Sequence, residues 1–283
     1  MIPPKHWAML NGKPIVLLYS HGSRLEEAFL TPDGKRVAVV GREQAFLVDV
    51  DRRKLLARWP QKGAKKIRSM ALSPDGSVIA LGVGVEVCFF SLPSFKPIGE
   101  PIRAAGDTID ALWCLDNRRA ISGAEDGLVS LVDAKKGVVW TLGDHGRDLI
   151  EGEPHGDPHK DVAGIAVNRA RTLLATAATD HSVRIYRLGK GDEPPQRVQR
   201  ALLAFSLFSG LAFITDERLA ATTDELDVID AQSGELLLHL DRADFDGEEA
   251  TRLAVRSRGP DGGAELLIGT ENGSIYAVQI APE

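Results

Sequence analysis

The chain has 283 residues, 34 basic against 40 acidic side chains and a formal charge of -6, with 43% of its residues apolar and 26% charged. That composition supplies a sizeable core and fits a folded chain, while two cysteines are too few for a small disulfide-held scaffold. The acidic balance argues against general nucleic-acid binding. The cysteine count points to a reducing, cytoplasmic or otherwise intracellular setting.

In chain order, the opening MIPPKHWAMLNGKPIVLLYS reads as a poor signal peptide, because a Pro pair, His6 and Asn11-Gly12 precede only a short apolar run. Two similar units follow, EAFLTPDGKRVAVVG and SMALSPDGSVIALGVG, each with a tight turn between two short apolar runs and 42 residues apart. A third reads ALWCLDNRRAISGAEDGLVSLVDA and a fourth IAVNRARTLLATAATDHSVRIYRL, after the Pro-Asp-Gly turn has been lost. The fifth runs from Gly210 to Ala231. The sixth, from Thr251 to Ile280, carries Asn272-Gly273, a two-residue hairpin signal. The uncharged run 201–215 is shorter than the roughly 20 residues of a spanning helix, so it reads as buried strand and no transmembrane association is expected.

Apolar runs of this length, repeatedly cut by Gly, Pro, Asp or Asn, favour short strands over helices. Taking Val48, Phe90, Val132, Tyr186, Ile229 and Tyr276 as equivalent positions gives separations of 42, 42, 54, 43 and 47, and Trp7 lies 41 residues before Val48. A fixed period marks a repeat protein, each unit three or four antiparallel strands.

The period near 42, the Ser-Pro-Asp-Gly turn and strand ends such as Val48-Asp49, Val132-Asp133 and Ile229-Asp230 resemble degenerate WD40 repeats. The resemblance covers nearly the whole chain, with Trp7 at the tryptophan position and His21 near the Gly-His position. No repeat has both the aromatic residue and the Asp of the strand end, so the family's His, Ser/Thr, Asp and Trp network is not expected as a complete set. The resemblance implies an all-β fold over 1–283, a single closed β-propeller of four-stranded antiparallel blades. Full units favour six blades, with seven left open by the Trp7 segment. Residues 1–20 are expected to form a closure segment, with 14–19 as an outer strand for the last blade.

The resemblance also places the turns between second and third strands on one rim. Arg42, Glu43, Glu125, Asp126, Asp180, His181, Asp224, Glu225 and Glu271 are the interaction candidates there. Lys62, Lys65 and Lys66 adjoin them in a basic segment, 52–68, where Trp59 either plugs a blade junction or joins a binding surface. An acidic run, Asp241 to Glu249, lies elsewhere, and such opposed charge suits protein recognition better than nucleic acid. The insertion 142–161 carries His145, His155 and His159 among carboxylates, at a spacing not specific for a metal; an ordinary interaction loop is the preferred reading.

HExxH, CxxC, P-loop and GxSxG patterns are absent, and GVGVEV at 82–87 lacks the third glycine of a dinucleotide fingerprint. Cys88 and Cys114 sit in apolar contexts and read as core. The expected function is therefore a non-enzymatic scaffold binding proteins or peptides in a multiprotein assembly, with no cofactor, metal ligand or catalytic residue assigned. The alternative is a metal-dependent propeller hydrolase gathering Asp, Glu and His around the channel.

Overall fold

The computed structural model describes residues 9–10, 13–14, 25–60, 66–143, 145, 161–202, 209–257 and 264–281. A two-stranded pair, β1 (Met9–Leu10) and β2 (Lys13–Pro14), precedes six antiparallel sheets. Blade 1 contains β3 (Leu25–Leu30), β4 (Arg36–Gly41), β5 (Ala45–Asp49) and β6 (Lys54–Trp59). In blade 2, β7 (Ile67–Leu72), β8 (Val78–Val83) and β9 (Glu86–Ser91) are followed by an outer position split between β10 (Lys96–Pro97) and β11 (Ile102–Arg103). Blade 3 is β12 (Ile109–Cys114), β13 (Arg119–Ala124), β14 (Val129–Asp133) and β15 (Gly137–Leu142); blade 4 is β16 (Val162–Val167), β17 (Leu173–Ala178), β18 (Ser182–Arg187) and β19 (Gln196–Leu202). Blade 5 comprises β20 (Gly210–Phe213), β21 (Arg218–Thr222), β22 (Leu226–Asp230) and β23 (Leu236–Leu240). Blade 6 shows three strands among the described residues, β24 (Ala250–Ser257), β25 (Ala264–Thr270) and β26 (Ile275–Ile280). Strand order follows chain order in every blade, and the innermost strands of all six line one central cavity. The fold is a six-bladed β-propeller.

A lone sheet with two apolar faces is unstable in water, so consecutive blades bury their facing sides against each other. Between blades 1 and 2, Val40 and Leu47 meet Ile67, Leu81 and Phe90; between 3 and 4, Leu131 and Trp140 meet Ile165 and Tyr186. Five such clusters join consecutive blades from 1 to 6. Cys88 and Cys114 are buried in two of them, as expected, and burial pushes the Cys114 thiol up to about 12.

The inner edge of each first strand has no strand partner, so its backbone groups need other satisfaction. Side chains from adjacent blades supply it. Ser69 Oγ donates to the Ile109 carbonyl at 2.9 Å, and Glu27 Oε2 accepts from the Met70 amide at 2.7 Å. The inner strand also carries a recurrent bulge after its first residue, at Glu26, Arg68, Asp110, Ala163 and Thr251. Bulges re-aim side chains, and two of these carry opposite charges, Arg68 and Asp110, that face each other at 3.9 Å.

The turn logic read from sequence is visible in atoms. Asp33 accepts from Thr31 Oγ1 at 2.6 Å and from the Lys35 amide at 3.0 Å, while Gly34 takes φ +68°. Ser73, Asp75 and Gly76, at φ +69°, repeat the arrangement in blade 2.

Three details differ from the sequence reading. The Trp7 region contributes the pair β1–β2 among the described residues and no seventh blade. Pro14 pairs with Met9, while residues 15–19 of the expected closure strand lie outside the described residues. In blade 6 the register aligns Leu266 with Val278, as Leu174 aligns with Tyr186 in blade 4, so Val278 rather than Tyr276 is the repeated position. Residues two apart share a strand face, so Tyr276 and Val278 point the same way and the apolar pattern alone does not separate them.

Candidate functional site

Each first strand runs from the rim that carries the turns between second and third strands to the opposite rim, which carries the turns between first and second. The first rim carries the turns that hold Arg42, Glu43, Glu125, Asp126, Asp180, His181, Asp224, Glu225 and Glu271. Arg42 and Glu43 are exposed between β4 and β5, and Glu271 is exposed between β25 and β26. These turns are fixed to neighbouring chain by backbone bonds: Ile67 N to Arg42 O, Ile109 N to Gly84 O and Ala250 N to Asp224 O cross from one blade to the next.

Other candidates are occupied. Asp126 accepts from the Gly106 amide at 2.6 Å, and Asp224 is paired with Arg242. Glu225 lies 3.8 Å from His239, whose imidazole pKa is raised chiefly by its 2.8 Å bond to Asp227. Lys66 reaches Thr108 at 3.4 Å; Lys62 and Lys65 lie outside the described residues. Among the described residues the basic segment is divided between two blades: Lys54 and Arg58 belong to the outermost strand of blade 1 and Arg68 to the innermost strand of blade 2. Trp59 packs on Phe90 at 4.6 Å between those blades, the junction-plug reading. The acidic run is likewise built into the chain's path, with Asp241 and Asp244 capping a short 3-10 turn and Asp246 accepting from the Tyr276 hydroxyl at 3.0 Å.

Asp180 was expected on the rim surface, yet its carboxylate points into blade 4. His145 Nδ1 lies 3.1 Å from Asp180 Oδ2, His145 Nε2 lies 2.8 Å from Thr176 Oγ1, and Ser182 Oγ donates to Asp180 at 2.6 Å. The Arg184 guanidinium, 0% exposed as a side chain, sits 3.2 Å from the same carboxylate. His145, 2% exposed, thus closes a histidine, threonine and aspartate network in one blade, three members of a four-residue set that lacks its tryptophan, as expected. Tyr186 occupies the strand position of the missing tryptophan. His155 and His159 lie outside the described residues, and among those described no group of three His, Cys, Asp or Glu side chains could hold a metal.

The axial cavity, about 620 Å³, is lined by residues from the first strands of all six blades, which no linear motif marks. Its walls are largely apolar, and Phe29, Leu30 and Trp113 leave 44%, 58% and 38% of their surface exposed along it. Towards the first rim, Asp110 faces Arg68 at 3.9 Å, and Arg68 reaches Glu125 at 3.6 Å. Burial, and next the charge of Glu125, push the Asp110 carboxyl up to about 6. Because the folded state holds this proton more tightly than the unfolded chain, its contribution to stability is present below about pH 4 and is lost as pH rises through about 6. Asp110→Asn is therefore expected to be more stable than wild type at pH 7, by about 2 kcal/mol after allowance for partial exposure, and equal to it at pH 4. Urea unfolding at the two pH values checks this.

The cavity lining includes Pro32, Ser73, Pro74, Asn168, Arg169 and Arg171 from first-to-second-strand turns and no residue of a second-to-third-strand turn. The cavity therefore reaches the rim opposite the one expected from sequence. There, Arg169 and Arg171 stand where blade 1 has Pro32 and Gly34: Arg171 N donates to Asn168 O as Gly34 N does to Thr31 O. Arg171 holds φ +56°, a left-handed conformation unfavourable for a residue with a Cβ. The aligned repeats carried that signal, an arginine at a glycine position.

No protein-family model matches the chain, and no curated protein matches its sequence. The class is set by the fold, a six-bladed β-propeller built of sequence repeats.

Proposed function

We propose that this propeller is a non-enzymatic scaffold that binds protein partners within a multiprotein assembly, in an intracellular setting, and that it is a divergent WD40-type protein. The family reading is supported by the His145, Thr176 and Asp180 network in blade 4, the side-chain types the resemblance calls for. The binding reading is carried by one observation: turns between second and third strands, held by backbone bonds such as Ile67 N to Arg42 O and Glu271 N to Glu249 O, present charged side chains, exposed at Arg42, Glu43 and Glu271, on one rim. A rim held in place before binding loses little conformational entropy on association. Fold alone does not specify function, so the rim itself is the test. Arg42→Glu, Glu43→Lys and Glu271→Lys together are expected to abolish affinity capture of a reproducible partner, identified by mass spectrometry, while leaving the circular dichroism melt unchanged. Capture that survives this triple change counts against the rim.

A further inference from the structure

We propose that the opposite mouth of the axial cavity binds a segment of a partner protein in which carboxylates flank large apolar side chains. Three observations meet at this mouth. Leu30 and Trp113, at the ends of the innermost strands of blades 1 and 3, leave apolar surface open inside a cavity of about 620 Å³, a volume within the usual range for ligand pockets. Water against that surface is displaced favourably by apolar side chains.

Charge supplies the second part. Four arginines surround the mouth and the groove beside it. Arg118 is bound to Asp133 at 2.8 Å and Arg119 to Asp116 at 2.8 Å, so their charges are spoken for. Arg169 and Arg171 are exposed and have no side-chain hydrogen bond or ion pair among the described residues. The nearby carboxylates accept from neutral donors rather than from these arginines. Asp75 accepts from Ser73, Ser77 and Asn117, and Asp216 accepts from the Ala170 amide at 2.8 Å. Two uncommitted guanidinium groups beside an apolar opening match a carboxylate fork next to an apolar anchor.

Backbone geometry is the third. Blades 1 and 2 fill the left-handed turn position with Gly34 and Gly76, whereas blade 4 holds Arg171 there at φ +56°. Strain of this kind persists where the surroundings over-determine it, and it fixes the direction in which the arginine leaves the turn. The site is separate from the rim of the proposed function, and either can fail without the other.

The test uses the full chain and a fluorescein-labelled, N-acetylated peptide DLWDLD, with KLWKLK and NLWNLN as charge controls, read by fluorescence anisotropy. DLWDLD is expected to bind, KLWKLK not to bind, and NLWNLN to bind more weakly, with affinity for DLWDLD falling as salt rises. Arg169→Glu with Arg171→Asn, the asparagine tolerating the left-handed turn, is expected to weaken DLWDLD about tenfold or more. Leu30→Glu, a separate change on another blade, is expected to do the same, and the rim triple variant to bind as wild type. Equal binding of DLWDLD and KLWKLK, unchanged affinity in the arginine variant, or no binding of any peptide overturns the proposal. Complete displacement of DLWDLD by submillimolar octanoate overturns the peptide as occupant, in favour of a small carboxylate amphiphile.

Discussion

Asp180→Ala is expected to lower the unfolding free energy by about 3–5 kcal/mol, the range for removing one partner of a buried ion pair. The reason is what stays behind. Arg184 is fully buried on the third strand of blade 4, and its guanidinium lies 3.2 Å from Asp180. The truncation leaves that positive charge in a low-dielectric site, and it also strips partners from His145 Nδ1 and Ser182 Oγ. Glu43→Lys, on an exposed turn of the same rim, is expected to change stability by less than about 0.5 kcal/mol. Urea unfolding of the two variants separates an internal brace from a surface contact: near-wild-type stability of the Asp180 variant, combined with loss of a captured partner, would return Asp180 to the binding surface.

That contrast marks how far the sequence could be read. The blades were legible because their periodicity comes from the core itself: short apolar runs between turn residues must pair, and turns such as Thr31-Pro32-Asp33-Gly34 fix where the chain reverses. The rim was legible as topology, since turns of one kind lie at one end of an antiparallel blade. Direction of a side chain was not. Asp180 and Glu271 occupy comparable turns, yet one reaches inward to a histidine from a distant loop and the other faces solvent. That partnership depends on His145, 35 residues earlier, inside the insertion that broke the period. The axial cavity was hidden for a similar reason: Arg68 and Asp110 belong to successive repeats, and only the inner-strand bulges bring them to one place. Arg171 is the exception, because its identity conflicts with the glycine of aligned turns within the chain itself.

Blade 6 carries the other large expectation. Ile268→Ala should cost about 2–5 kcal/mol, as a large-to-small change in a packed core does, whereas Ile275→Ala should cost less than about 0.5 kcal/mol. The two isoleucines lie on adjacent strands. Ile268 is 0% exposed and packs with Leu226, Phe245 and Leu266 between blades 5 and 6, while Ile275 is 75% exposed on the other face. Among the described residues, blades 2 to 5 each share a core with both neighbours, and blade 6 shares one with blade 5 alone. In a repeat architecture stability is close to a sum of nearest-neighbour terms, so a cavity at the single described core of blade 6 should loosen that blade first. Hydrogen exchange of Ile268→Ala is expected to show amides of β24 to β26 losing protection while those of β8 in blade 2 keep it. Uniform loss across both blades would instead mean that blade 6 is held as firmly on its second face, the result required if residues 14–19 complete its sheet as the repeat pattern proposes. Deleting residues 1–20 in the same background then distinguishes the two cases, because a closure strand would restore blade-by-blade opening when it is removed.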